Sequence, residues 1–159
     1  MRLLELYIHI PFCKKKCKYC DFLSGPSTAD ERESYVKSLC QDIRSYAHLA
    51  KACRVISIFV GGGTPSTLTA FQMQQIFSAV RDTFVVEENA EITIEANPGT
   101  LVGKKLPVYK ECGINRVSFG LQSADNTELK NLGRIHSFEE FLKSFQSARM
   151  AGFTNINID

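Results

Sequence analysis

Apolar and polar positions change period repeatedly along the chain. Leu6–Ile10 (LYIHI) is a short run of strand formers that Pro11 ends. Val55–Val60 (VISIFV) is a β-branched and aromatic run, stopped by Gly61, Gly62 and Gly63. Glu91–Ala96 (EITIEA) alternates cleanly and ends in Asn97, Pro98 and Gly99. Arg116–Leu121 (RVSFGL) and Asn155–Asp159 (NINID) complete five predicted strands. Between them the period becomes helical. Thr28 and Glu31 spell a capping box, after which Tyr35, Val36, Leu39, Ile43, Tyr46 and Ala47 recur on one face. Thr69 and Gln72 open a second helix through Met73, Ile76, Phe77 and Val80, and Phe71, Phe77 and Phe84 are expected in the core. A third helix closes over Tyr109–Gly113, with Gly103 and Pro107 predicting that it is short or kinked. Ser137 and Glu140 open a fourth, through Phe141, Leu142, Phe145 and Ala148 to Gly152.

Strands that alternate with helices require parallel pairing through crossovers, so the fold class is α/β. Polar and glycine residues fall just after the first four strands. That is the carboxyl edge of a parallel sheet, where such folds bind ligands. With 159 residues, 44% hydrophobic and 23% charged, the chain is one ordinary globular domain with a core of its own. The net charge of +2 argues against a phosphate-backbone binder, so nucleic acid is not an expected partner. No apolar run is long enough to span a membrane, and the N-terminus lacks the pattern of a signal peptide, which makes the cytoplasm the expected location.

Cysteine changes this picture most. Three of the six cysteines form Cys13-Lys-Lys-Lys-Cys17-Lys-Tyr-Cys20, in the loop leaving the first strand. Three thiolates on a tight loop converge on one inorganic centre. They hold three irons of a 4Fe–4S cluster and leave the fourth iron open. Alternatively they form a zinc knuckle completed by a distant His9 or Cys53, or they remain free thiols. Lys14, Lys15, Lys16 and Lys18 offset the negative charge that thiolates bring. Cys40, Cys53 and Cys112 read as small buried hydrophobes.

The context of that loop resembles a known family. YIHIPFC leads into the cysteines, and IFVGGGTPS (58–66), EITIEANPGTL (91–101), GINRVSFGLQS (113–123), LKNLGRIHS (129–137) and GFTNINID (152–159) follow. Together they resemble the radical S-adenosylmethionine (SAM) superfamily, within it the oxygen-independent coproporphyrinogen III oxidase family, and there the haem chaperone branch. The resemblance implies a radical SAM core over residues 1–159, a partial (β/α) barrel of parallel strands truncated after the fifth. The resemblance further implies that the family's sixth strand and C-terminal domain are absent from these residues. It implies that Cys13, Cys17 and Cys20 ligate a 4Fe–4S cluster. It further implies that Tyr7, Tyr19, Gly62, Gly63, Thr64, Glu95, Gln122, Arg134 and Asp159 contact SAM. The residue types suit that task. Glycines admit a close backbone approach, Arg134 can pair bidentately with a carboxylate, and Glu95 and Asp159 can hold an ammonium or ribose hydroxyls. Haem or a porphyrin, a haem-acceptor protein and an electron donor such as a flavodoxin or ferredoxin are the implied partners.

The alternatives are oxygen-independent oxidation of coproporphyrinogen III and a non-functional fragment. Phe22 stands where the oxidase branch carries a further cysteine, which favours the chaperone branch. A fifth strand left at the sheet edge makes marginal stability an expectation.

Overall fold

The computed structural model describes residues 2–101 and 105–159. The chain runs β1 (Arg2–Ile10), α1 (Ala29–Ser45), α2 (Ala47–Ala50), β2 (Cys53–Gly62), α3 (Ala70–Thr83), β3 (Val86–Ala96), α4 (Lys105–Glu111), β4 (Arg116–Phe119), α5 (Asn126–Asn131), α6 (Phe138–Met150) and β5 (Asn155–Ile158). A short 3₁₀ turn, Pro65–Thr67, lies between β2 and α3. The five strands form one sheet in the order β1-β2-β3-β4-β5, all parallel. Among the described residues β1 and β5 do not pair, so the sheet is an open part of a barrel.

Strand periodicity gives this sheet two unlike faces. Ile8 aligns with Val60, Val60 with Ile94, Ile94 with Val117, and Val117 with Ile156. This apolar row packs with Val36, Cys40 and Ile43 of α1, Met73, Ile76, Phe77 and Val80 of α3, Leu106 and Tyr109 of α4, and Phe141 and Ala148 of α6. Each fully buried aromatic or aliphatic side chain there contributes about 1.5–3 kcal/mol. On the other face Tyr7 aligns with Phe59, Phe59 with Thr93, Thr93 with Arg116, Glu95 with Ser118, and Ser118 with Asn157. That face is largely polar and leads to the carboxyl edge.

All three predicted capping boxes form, at Thr28, Thr69 and Ser137. Each N-cap bond is worth about 1 kcal/mol and fixes where its helix starts. Several elements differ from expectation. β1, β2 and β3 begin four, two and five residues earlier than the apolar runs imply: ladder pairing carries β1 and β2 through polar residues, and β3 starts at Val86, opposite Val55, with an irregularity before Glu91 rejoins the ladder at Ser57. The helix over 29–45 breaks at Tyr46 and a separate turn, α2, follows. α4 starts at Lys105 and accommodates Pro107 in its first turn, where no N–H is needed. Gly103 lies outside the described residues. Phe71 is not core: it is 66% exposed, on the side of α3 away from Met73 and Phe77, and Phe84 is only partly buried. Cys40 and Cys112 are buried as expected, whereas Cys53 is half-buried.

Candidate functional site

The loop after β1 is tied at two places. Its neck is a parallel bridge between Phe12 and Gly25, with Cys13 N donating to Gly25 O at 2.8 Å and Gly25 N to Pro11 O at 3.0 Å. Its far side is held by Lys18 N donating to Leu132 O at 3.0 Å. Cys13, Cys17 and Cys20 all line one cavity of about 250 Å³ on the carboxyl edge. Tyr19, Gly62, Gly63, Thr64, Glu95, Gln122, Arg134 and Asp159 line the same cavity. Eleven of the twelve residues singled out in the sequence are therefore brought together. Tyr7 is the exception. It stands on β1 at 61% exposed, stacks on Phe59 and shares a 3.0 Å hydrogen bond with His9 Nδ1. It lies one full pleat below the strand end.

Two glycines shape the cavity wall. Gly62 has φ +115°, and a Cβ there would meet the His9 ring at 2.7 Å. A Cβ on Gly63 would meet Phe12 O at 2.7 Å and Cys13 Sγ at 2.9 Å. Only glycine lets β2 turn here while the cysteine loop crosses so closely. Gln122 is the sole non-glycine residue with positive φ among the described residues, at 73°, and its N–H donates to Asp159 O at 2.7 Å. A left-handed conformation in a non-glycine residue carries backbone strain.

The charges in the cavity are unevenly satisfied. Glu95 Oε2 accepts from Gly62 N at 3.1 Å. Burial raises the Glu95 carboxyl above its ordinary range, the Gly62 N–H opposes that rise, and the nearby Asp159 charge adds to it. Asp159 Oδ2 accepts from Ser118 Oγ at 3.1 Å and Oδ1 from Asn157 Nδ2 at 2.7 Å. Arg134 is engaged by protein partners through both terminal nitrogens: Asn97 Oδ1, Gly120 O, Tyr19 Oη and Cys17 Sγ. The expected bidentate use of its two terminal amines on a ligand therefore requires rearrangement. Its Nε is buried and has no partner among the described residues, so one donor remains to offer. Burial and then the Arg134 charge lower the His136 imidazole below its ordinary value.

The donor set suits a cluster with SAM better than a single metal ion. Among the described residues no three Cys, His, Asp or Glu groups stand close enough together to grip one ion. A cubic cluster asks for thiolates spread over separate irons. Neither proposed fourth zinc ligand is placed for the task. Cys53 opens β2 at the opposite end of the sheet, about 30 Å away at 3.3 Å per residue. Both His9 nitrogens are engaged, with Tyr7 Oη and with Leu23 O at 3.2 Å. An orphaned buried Arg134 Nε, a partly satisfied Glu95 carboxylate and a wall without Cβ atoms answer a zwitterionic amino acid ligand. Asn97, Ser118 and Gly120 also line the cavity. In the sequence Asn97 carries a signal only as a strand breaker, and Ser118 only as a polar position in an alternating strand.

A parallel α/β sheet with three thiols and this polar edge is the arrangement of the radical SAM superfamily, whose sequence profile matches residues 7–159. The chain belongs to that superfamily. It is 41% identical over 157 residues to the heme chaperone HemW of Escherichia coli, covering 98% of this chain and 42% of that protein. It is 37% identical over 161 residues to HemW of Haemophilus influenzae, with 98% and 42% covered. The solved coproporphyrinogen III oxidase HemN of E. coli, described as a radical SAM enzyme, superposes with a TM-score of 0.91 at 31% identity, covering 99% of this chain and 36% of that one. The chain thus spans about two fifths of the length of the curated relatives it matches.

Proposed function

We propose that residues 1–159 are the N-terminal radical SAM core of a haem chaperone, which binds a 4Fe–4S cluster and SAM and takes part in delivering haem to an acceptor protein in the cytoplasm. The observation that carries this reading is the single cavity shared by the three loop thiols and the polar carboxyl edge. Cys13, Cys17 and Cys20 would hold the cluster. When bound, such a cluster supplies one electron and an open iron position for the amino and carboxylate groups of SAM. Around it this chain's own residues bind and orient. Arg134 Nε offers its unpartnered N–H to a carboxylate, Glu95 accepts hydrogens from an ammonium or from ribose hydroxyls, and Asp159 offers a second acceptor. The Gly62–Gly63 backbone leaves room for the ligand, and Tyr19 flanks it. An electron donor such as a flavodoxin or ferredoxin would reduce the cluster.

A second reading, oxidation of coproporphyrinogen III, draws support from the likeness to the solved oxidase. Phe22 in place of the oxidase branch's extra cysteine weighs against it. One experiment serves both. The chain is reconstituted anaerobically with iron and sulfide, reduced, and its EPR spectrum recorded with and without SAM. The expected result is a reduced 4Fe–4S signal that changes on adding SAM, lost in Cys13→Ser, Cys17→Ser and Cys20→Ser and kept in Cys112→Ala. A chain that takes up no iron, or a signal indifferent to SAM, overturns the reading. Protoporphyrinogen formed from coproporphyrinogen III under the same anaerobic conditions would put the oxidase first.

A further inference from the structure

Asn97 is the residue that immediately follows β3, and its side chain lies between two groups that each reach a cysteine sulfur. Arg134 Nη2 donates to Asn97 Oδ1 at 2.6 Å, and Asn97 Nδ2 donates to Thr64 Oγ1 at 2.8 Å. Beyond them, Thr64 Oγ1 donates to Cys13 Sγ at 3.5 Å, and Arg134 Nη1 donates to Cys17 Sγ at 3.4 Å.

The chemistry of the donors dictates every direction in this chain. A guanidinium only donates, so Asn97 must turn its carbonyl oxygen to Arg134. Its NH₂ group then faces Thr64, and the Thr64 oxygen must accept. That leaves the single Thr64 hydroxyl hydrogen for Cys13 Sγ. Thr64 is 3% exposed, so water does not compete for this hydrogen. The carbonyl of Gly120 takes a second bond from Arg134 Nη2, which keeps the guanidinium plane in place and its Nη1 on Cys17. One amide therefore aims two donors, brought from the turn after β2 and from the α5–α6 loop, at two of the three loop thiols.

We propose that Asn97 is a positioning residue that holds the Thr64 hydroxyl and the Arg134 guanidinium on the sulfurs of Cys13 and Cys17, and so raises the reduction potential of the cluster bound there. The inference rests on the cluster reading above. Hydrogen bonds to ligand sulfurs draw off negative charge, and the reduced cluster carries one more electron than the oxidised one. The reduced state gains more from each bond, and the potential rises. Asn97 itself touches neither sulfur.

The test is a dithionite titration of the reconstituted full chain without SAM, followed by EPR, which reads the one-electron midpoint. Omitting SAM keeps any part these residues play in SAM binding out of the measurement. Asn97→Ala is expected to lower the equilibrium constant for reduction about tenfold, which is about 59 mV for a one-electron couple. Thr64→Val is expected to lower it by part of that amount. Thr64→Ser, which keeps the hydroxyl, is expected to hold the wild-type midpoint. The double variant Asn97→Ala/Thr64→Val should match Asn97→Ala alone, because one acts through the other. A purely structural role would not separate valine from serine at position 64. Should Asn97→Ala fail to hold a cluster, that serine–valine pair decides alone. Unchanged midpoints in Asn97→Ala and Thr64→Val, or shifts that simply add in the double variant, overturn the proposal while leaving the cluster reading intact. A wild-type chain that takes up no iron overturns both, and is recognised before any variant is made.

Discussion

Gly63→Ala adds a single methyl where the cysteine loop crosses the end of β2. The methyl would meet Phe12 O at 2.7 Å, Cys13 Sγ at 2.9 Å and Ser24 Cβ at 2.9 Å. None of these is the loose end of a long side chain. Phe12 O already accepts from Thr64 N at 2.7 Å, so it cannot retreat without lengthening that bond. Overpacking of this kind costs about 1–3 kcal/mol, and the strained hydrogen bond about 1 kcal/mol more. Alanine also restricts the unfolded chain, which returns roughly 0.4–1 kcal/mol. The net loss is about 1–3.6 kcal/mol, or roughly 2–14 °C in melting temperature for a domain of this size. Circular dichroism melts of the two proteins measure it, and iron per chain after reconstitution reports the accompanying displacement of Cys13. A variant that melts within about 1 °C of the parent and loads the same iron would show that the loop yields freely, and the close-packing argument for the glycine wall would be wrong.

Three further outcomes follow from the same contacts. The Glu95 carboxyl is raised by burial above its ordinary 4.5, so the folded state is penalised once pH rises past that value and the penalty is complete above the raised one. Glu95→Gln should therefore be more stable than the parent in urea at pH 7, with the advantage gone at about pH 4. Lys105 donates to Ser66 O and Thr100 O, and its burial lowers it from 10.5 to about 8. The unfolded chain holds more protons between those values, so parent stability should climb relative to Lys105→Met as urea melts move from pH 8 to pH 10. The Tyr109 hydroxyl is buried without a partner among the described residues, and Tyr109→Phe should raise the melting temperature by roughly 2–4 °C, for about 1 kcal/mol of relieved desolvation; a fall would mean the hydroxyl has a partner in solution.

Features written locally in the chain are legible in the sequence. Thr28, Thr69 and Ser137 announce their helices because a capping box spans only four residues. The cysteine spacing and the glycine turn are equally local. α5 escapes a reading by periodicity because it is six residues long with Leu129 its only buried side chain, so no apolar period exists to read. Its cap is visible, since Asp125 accepts from Thr127 N and Glu128 N, but a cap without a stripe is easily taken for a turn. Phe71 is expected in the core only when hydrophobicity is counted ahead of its angle around α3. Asn97 is hidden for a different reason. Its partners lie 33 and 37 residues away in sequence, and only the parallel register brings them together. The engaged hydrogens of Arg134 are likewise invisible in the motif that draws attention to it.

The order of strands across the sheet is also their order along the chain. During synthesis each strand therefore emerges to find its neighbour already made, and the sheet grows outward without reopening. The cysteine loop leaves the ribosome well before its clamp, since the Arg134 that reaches Cys17 follows 117 residues later. At about 5–20 residues per second that is a wait of roughly 6–23 s. The thiols are thus made early and clamped late. Iron delivered in that interval meets a loose loop, and iron delivered after it meets a finished one.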